Sequence, residues 1–188
     1  MKNIKKFILA SKSPRRKQIL EKENIDFEVF VPNVTEVTQA GALETVEFNA
    51  ELKAKSAAEI FPDRIVIAAD TVVALDNKIL EKPDSMEEAV LMLQNLSGRT
   101  HTVFTAVSIA ANGKIYSFYD ESRVKFKNLT LEIIEDYFKI CDPLDKAGAY
   151  NIDENGEQII EKIIGSYENI MGLPIVKLRK KLKKLSFL

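Results

Sequence analysis

Apolar runs broken by charged residues divide the chain into alternating strand-like and helix-like segments. Phe7–Ala10 predicts a short buried strand running directly into a helix. Ser13 is a good N-cap for that helix, Pro14 suits its first position, and Ile19 and Leu20 supply apolar contacts one turn later. FEVFVP, starting at Phe27, predicts a second strand, and the polar stretch from Asn33 to Glu44 a flexible connection. The alanine-rich segment from Thr45 to Ile60 predicts a helix with Phe48, Leu52 and Ala57 near one face. From Ile65 to Leu75 only Asp70 and Thr71 interrupt an apolar run, the pattern of a central strand covered on both faces.

In the second half, Ser85 and Glu88 form a capping box, Gly98 closes the helix, and Ala89, Met92, Leu93 and Leu96 repeat at helical spacing between them. Asn112-Gly113 joins TVFTAVSIA to KIYSFYD as a β-hairpin, and ESRVKFKNL predicts a further strand. LEIIEDYFKI reads as a helix capped by Thr130, followed by the loop DPLDKAGAYN and a strand around Gln158–Ile164. A last helix from Pro174 carries Ile175, Leu178, Leu182 and Leu185 on one stripe. Without repeats or an obvious linker, the pattern predicts an α/β fold with a mixed β-sheet, as a single domain over residues 1–188.

Charge narrows the function classes. The 188 residues carry 27 Lys and Arg against 28 Asp and Glu, a formal net charge of -1, so any anion site must be local. A single cysteine, Cys141, excludes an intrachain disulfide and does not suggest secretion. The amino terminus has a basic front, but the apolar run Phe7–Ala10 is too short for a signal-peptide core, and no stretch approaches a membrane span. A cytoplasmic protein without membrane contact is the expectation. The basic residues of the last helix ring its leucine stripe and complement the helix's negative end, so nucleic-acid binding is not expected of it.

Candidate chemistry starts with absences: there is no GxxxxGK[ST], GxGxxG or HExxH motif, and His101 is the sole histidine, a surface or structural one by its context SGRTHTV. Two features remain. Arg15 and Arg16 stand at a helix start, where the peptide dipole already disfavours positive charge by a few tenths to about 1 kcal/mol each. Either they are solvated, or with Ser11, Ser13 and the unpaired N–H groups they wrap a polyanion such as a phosphate chain. Asp70 would share a strand face with Val66, Ala68 and Val72, which is costly unless it meets a metal, a cation or N–H donors. The alternative is a strand ending at Ala69 with Asp70 capping a turn.

The order of these motifs carries a resemblance. ASxSPRR after the first strand, then ADTVV, EKP, LSGRTH, DPxDKAGAY and GSYxNxMGLP, is similar to the Maf family of nucleotide pyrophosphatases over nearly the whole chain. The resemblance implies an elongated, Maf/ITPase-like mixed sheet flanked by helices, two lobes around a cleft, and a homodimer. It implies hydrolysis of nucleoside triphosphates between the α and β phosphates, with a divalent cation, Mg²⁺ or Mn²⁺. Asp70 matches the family's proton acceptor, and Ser11, Arg15 and Arg16 match its phosphate-binding helix start. Glu36, Lys53 and Lys82 match groups lining the cleft, Glu36 and Asp70 being the implied metal ligands, and Asp145 and Lys146 fall in its DKAG motif. The ending resembles the branch acting on dTTP and UTP, in which Arg15, Thr71 and a glutamine are associated with base choice; here Asp153 replaces that glutamine and Glu154 a glycine. A carboxylate accepts but cannot donate, unlike an amide, so the change bears on which base is bound. It also leaves open a second reading, a non-catalytic nucleotide-binding regulator linked to cell division.

Overall fold

In the computed structural model, which describes residues 7–76 and 78–188, a single mixed sheet carries the site. The basic front of the chain, Met1–Lys6, lies outside the described residues. The strands are β1 (Phe7–Ala10), β2 (Phe27–Phe30), β3 (Val66–Leu75), β4 (Lys78–Leu80), β5 (Thr100–Ala111), β6 (Lys114–Phe126) and β7 (Ile160–Ile164). Their order is β2-β1-β3-β5-β6-β7, with β4 also paired to β3. The β2-β1-β3 portion is parallel and the rest antiparallel.

The flanking helices are α1 (Pro14–Lys22), α2 (Ala42–Ile60), α3 (Met86–Leu96), α4 (Leu131–Phe138), α5 (Tyr167–Ile170) and α6 (Ile175–Lys184). Each of α1, α3 and α4 starts as its sequence dictates. The Ser13 hydroxyl accepts from the Arg16 N–H at 3.4 Å, Ser85 from Glu88 at 3.2 Å, and Thr130 from Ile133 at 3.3 Å. Glu88 returns a bond to the Asp84 N–H at 2.7 Å, so the box closes one residue further out than Ser85.

One face of the sheet packs on α1 and α6 through Leu9, Leu20, Ile67, Ile109, Leu178 and Leu182. Towards the other end of β3, β5 and β6, Leu93, Leu96, Phe126, Ile134 and Tyr137 build a second core with α3 and α4. Burying each such leucine stabilises the fold by roughly 1.5–3 kcal/mol relative to leaving it in water. On the opposite face lies α2, close to the strands because its contact residues are small: Ala50, Ala54 and Ala57, with Val46.

Several expectations are corrected. Helix α2 begins at Ala42, not Thr45, and Phe48 is 48% exposed, because the side that meets the sheet needs alanines for close approach. KIYSFYD and ESRVKF form one continuous strand, β6, whose whole length pairs with β5. Strand β2 stops at Phe30, and β7 begins only at Ile160 after a short 3₁₀ turn. The short helix α5, capped by Ser166, had no counterpart in the apolar pattern. His101 is structural and not at the surface: it is buried, and its Nε2 pairs with the Tyr150 hydroxyl at 2.8 Å. Among the described residues no helix is long and apolar enough to cross a membrane.

Candidate active site

Strand register creates the site. β1 pairs with β3 only as far as Ala10 opposite Ala68, and β4 takes up the same edge of β3 at Val73. Between these points β3 has no partner on that side, and the gap lies past the carboxyl ends of β1 and β2, where open α/β sheets bind ligands. A cavity of about 550 Å³ occupies the gap. Ser11, Arg15, Arg16, Glu36, Lys53, Asp70, Lys82, Asp145 and Lys146 all line it. Successive side chains of a strand point to opposite faces. Asp70 therefore faces the main cavity, whereas Thr71 lines an adjoining hollow of about 160 Å³ with Val73, Val103, Tyr150, Ile152, Ile170 and Met171. Arg15, Arg16 and Lys82 border both.

Asp70 is a carboxylate within the strand, 6% exposed, and not a turn cap. Its partner comes from α2, whose buried stripe includes Asn49 and Lys53 where it passes the cavity. Lys53 Nζ lies 2.6 Å from Asp70 Oδ1 and 2.8 Å from Glu36. The two carboxylates on this ammonium are shifted in opposite directions. Burial pushes Asp70 above its ordinary value, and the charge and hydrogen bond of Lys53 do not undo it. At half-exposed Glu36 burial also pushes upward, but Lys53, Arg16 and Lys12 outweigh it and hold the carboxyl below its ordinary value. Asp70 is thus shifted toward holding a proton and Glu36 toward staying ionised, the disposition of a proton acceptor beside an anionic anchor.

Asn49 positions Glu36, and nothing in the apolar pattern pointed to it. Its side chain accepts from the Val37 N–H and donates to the Val37 carbonyl, both at 3.0 Å, pinning the irregular segment that carries Glu36. Tyr137 does the same for Asn151, which lines both hollows: its hydroxyl accepts the Asn151 N–H at 2.9 Å and donates to the Asn151 carbonyl at 2.8 Å.

The two arginines divide their work. Arg16 donates from Nε to the Gly172 carbonyl at 2.8 Å, from Nη1 to Ser11 Oγ at 3.1 Å and from Nη2 to Thr71 Oγ1 at 3.0 Å. A guanidinium has five N–H groups, so about two remain for a ligand. Desolvation lowers its pKa and Asp70 opposes that shift, yet guanidinium stays charged. The Arg15 side chain has no hydrogen-bond or ion-pair partner among the described residues and borders both hollows. Ser11 Oγ accepts from Arg16 and from the Ser13 N–H at 3.2 Å, which leaves its own proton for an anion.

Gly172 is where the MGLP turn meets α1. Its φ is +101°, and a Cβ there would stand 3.2 Å from Thr71 Oγ1 and 3.3 Å from Arg16 Nε. Only glycine accepts that backbone conformation without strain and allows the approach.

Asp153 lies elsewhere. It is exposed, accepts a hydrogen bond from the Tyr167 hydroxyl, and lines neither hollow. Its neighbour Glu154 lines the main cavity instead. Lys146 lines that cavity while paired with Asp145. On α6, Lys177 pairs with Asp120 at 2.7 Å and Arg179 with Glu23 at 2.9 Å.

Comparison with known proteins agrees with this architecture. The family described as Maf-like protein matches residues 6–185. A dTTP/UTP pyrophosphatase of Bacillus cytotoxicus is 44% identical over 183 residues, covering 96% of this chain and 96% of that protein. One from Thermosipho africanus is 46% identical over 173 residues, covering 92% of this chain and 89% of its own. A third, from Bacillus cereus, is 44% identical over 186 residues, or 98% and 92% of the two chains.

Proposed function

The chain belongs to the Maf family, and we propose that it is a nucleoside triphosphate pyrophosphatase, cutting dTTP and UTP between the α and β phosphates. One observation carries the reading. A buried carboxylate, Asp70, and the cations Arg15, Lys53, Lys82 and Lys146 share one cavity, beside a smaller hollow with apolar walls. The relatives' printed activities point the same way.

The main cavity takes the triphosphate and the smaller hollow a pyrimidine ring. Arg15 and Lys82 border both spaces, so they hold the chain of phosphates at its junction with the nucleoside and keep the α phosphorus near Asp70. A water on Asp70 attacks that phosphorus, Asp70 takes its proton, and the bond to the bridging oxygen breaks to release pyrophosphate. Ser11, Arg15, Arg16 and Lys82 offer hydrogen bonds and charge to the departing group.

The donor set also suits a divalent cation that arrives with the nucleotide. Among the described residues no group of three or more His, Cys, Asp or Glu could hold a metal ion. Mg²⁺ is commonly held by one or two carboxylates together with substrate phosphates, and Asp70 and Glu36, which already share a cationic partner in Lys53, fit that mode. Those two residues would hold Mg²⁺ or Mn²⁺, which when bound neutralises phosphate charge and makes a water more acidic.

Purified protein offered dTTP, UTP, CTP, ATP and GTP with Mg²⁺ or Mn²⁺ tests the reading. Pyrophosphate released fastest from dTTP and UTP, and lost in Asp70→Asn, is the expected result. Orthophosphate release, or nucleotide binding without turnover, would overturn it.

A further inference from the structure

Thr105 lies outside both hollows, fully buried on β5 directly opposite Thr71 on β3. Its hydroxyl oxygen is 3.0 Å from that of Thr71 and 2.8 Å from the main-chain carbonyl oxygen of Asn169. The carbonyl can only accept, so the single proton of Thr105 goes to Asn169. Thr71 must then donate its own proton to Thr105. On its other side Thr71 accepts from Arg16 Nη2 at 3.0 Å. Every proton in the chain from Arg16 through Thr71 and Thr105 to Asn169 is thereby assigned.

We infer that Thr105 is a positioning residue for base selection: by taking the Thr71 proton it turns Thr71 into an obligate acceptor facing the small hollow. This rests on the hollow holding the base, as proposed above. A hydroxyl on its own rotates and serves donor and acceptor alike. Held by Thr105, Thr71 has one lone pair left for a ligand and no proton to offer. Uracil and thymine carry a ring N–H between two carbonyls, which such an acceptor satisfies. Cytosine presents a bare ring nitrogen there, which sets lone pair against lone pair and leaves buried polar groups unpaired. Asn169 is well placed to hold the register. It is fully buried, and its Nδ2 donates to the Val103 carbonyl at 3.0 Å and to Ser122 Oγ at 3.1 Å. Discrimination thus starts two residues removed from the base.

The test compares wild type with Thr105→Val, which keeps the shape and deletes the hydroxyl, and with Thr105→Ser, which restores it. The ratio of kcat/KM for UTP to that for CTP should fall about tenfold in Thr105→Val, the worth of one hydrogen bond, and return in Thr105→Ser. A ratio unchanged in Thr105→Val, or both substrates slowed equally, would overturn the inference, since a merely structural residue affects both bases alike. Should Thr105→Val not fold, Thr105→Ala takes its place with the same expected ratio. If wild type turns over neither nucleotide, the proposed activity fails by itself. Calorimetric affinities for the α,β-methylene analogues of UTP and CTP then decide the role of Thr105 by the same ratio.

Discussion

Lys53 on α2 and Asp70 on β3 meet at 2.6 Å inside the cleft, and the same ammonium reaches Glu36 at 2.8 Å. One cation thus holds an exposed acid and a buried one in a single arrangement. Desolvation keeps Asp70 above its ordinary pKa, with Lys53 pulling it back. Removing Lys53 leaves burial and the charge of Glu36 pushing Asp70 up, against Arg16 and a 3.5 Å hydrogen bond from Asn49 Nδ2. In Lys53→Met the acid limb of the kcat/KM profile should therefore move to higher pH, and activity at neutral pH should fall by about 10²-fold or more. A limb in its wild-type position would show that the rate does not depend on this carboxyl.

Asp70 also makes a prediction about stability. A carboxyl whose pKa is raised on folding holds its proton more tightly in the folded state. Stability then falls as pH climbs from the ordinary aspartate value to the raised one, and above that window the charge is a standing cost. Asp70→Asn removes that cost, while Lys53 keeps Glu36 as partner. Turnover should be lost while the thermal midpoint at pH 7 stays level or rises, as expected when an active site is kept at the expense of stability. A lower midpoint would mean that the Lys53–Asp70 pair is net stabilising.

His101 sets an acid-side limit. Burial pushes it down from 6.5 to about 4. Its folded pKa lies below the unfolded one, so the unfolded chain binds the proton first, and stability is lost as pH falls from 6.5 towards 4. The loss attributable to this residue is about 2 kcal/mol by pH 5. His101→Gln can still bond the Tyr150 hydroxyl without titrating. Urea midpoints at pH 7 and pH 5 should be closer together in the variant than in wild type, and an equal separation would contradict the assignment.

Gly172→Ala tests the link between the MGLP turn and α1. The φ of +101° and the contacts with Thr71 and Arg16 make the added methyl strained as well as crowded. A loss of about 1–3 kcal/mol is expected from the backbone alone. A rise in KM for the nucleotide should accompany it as Arg16 is displaced. Wild-type values for both would show that the turn adapts without disturbing the guanidinium.

Much of the frame was legible because local signals agreed with tertiary needs. Ser13-Pro14, Ser85 with Glu88, and Asn112-Gly113 each act through backbone within a few residues, and each stands where expected. Phe48 misled because size suggests a core residue, whereas α2 reaches the sheet through alanines and leaves Phe48 outside. Arg15, Arg16 and Asp70 were conspicuous because each stands where its charge is locally disfavoured, and the structure brings them to one cavity. Asn49, Asn151 and Thr105 carry no such local cost, and their partners lie on other elements, so periodicity is blind to them. Asp153 and Glu154 show the same limit. Within one turn an exposed partner of Tyr167 stands next to a residue lining the cavity, and only the turn's path decides which is which.

The most direct test of the proposed chemistry follows the attacking oxygen. Hydrolysis of UTP in ¹⁸O-labelled water, with the products read by ³¹P NMR, reports which phosphorus was attacked. A cavity that holds the α phosphorus against Asp70 predicts the label in UMP and none in pyrophosphate. Label in pyrophosphate, or UDP with labelled orthophosphate, would show attack at another phosphorus and contradict the account.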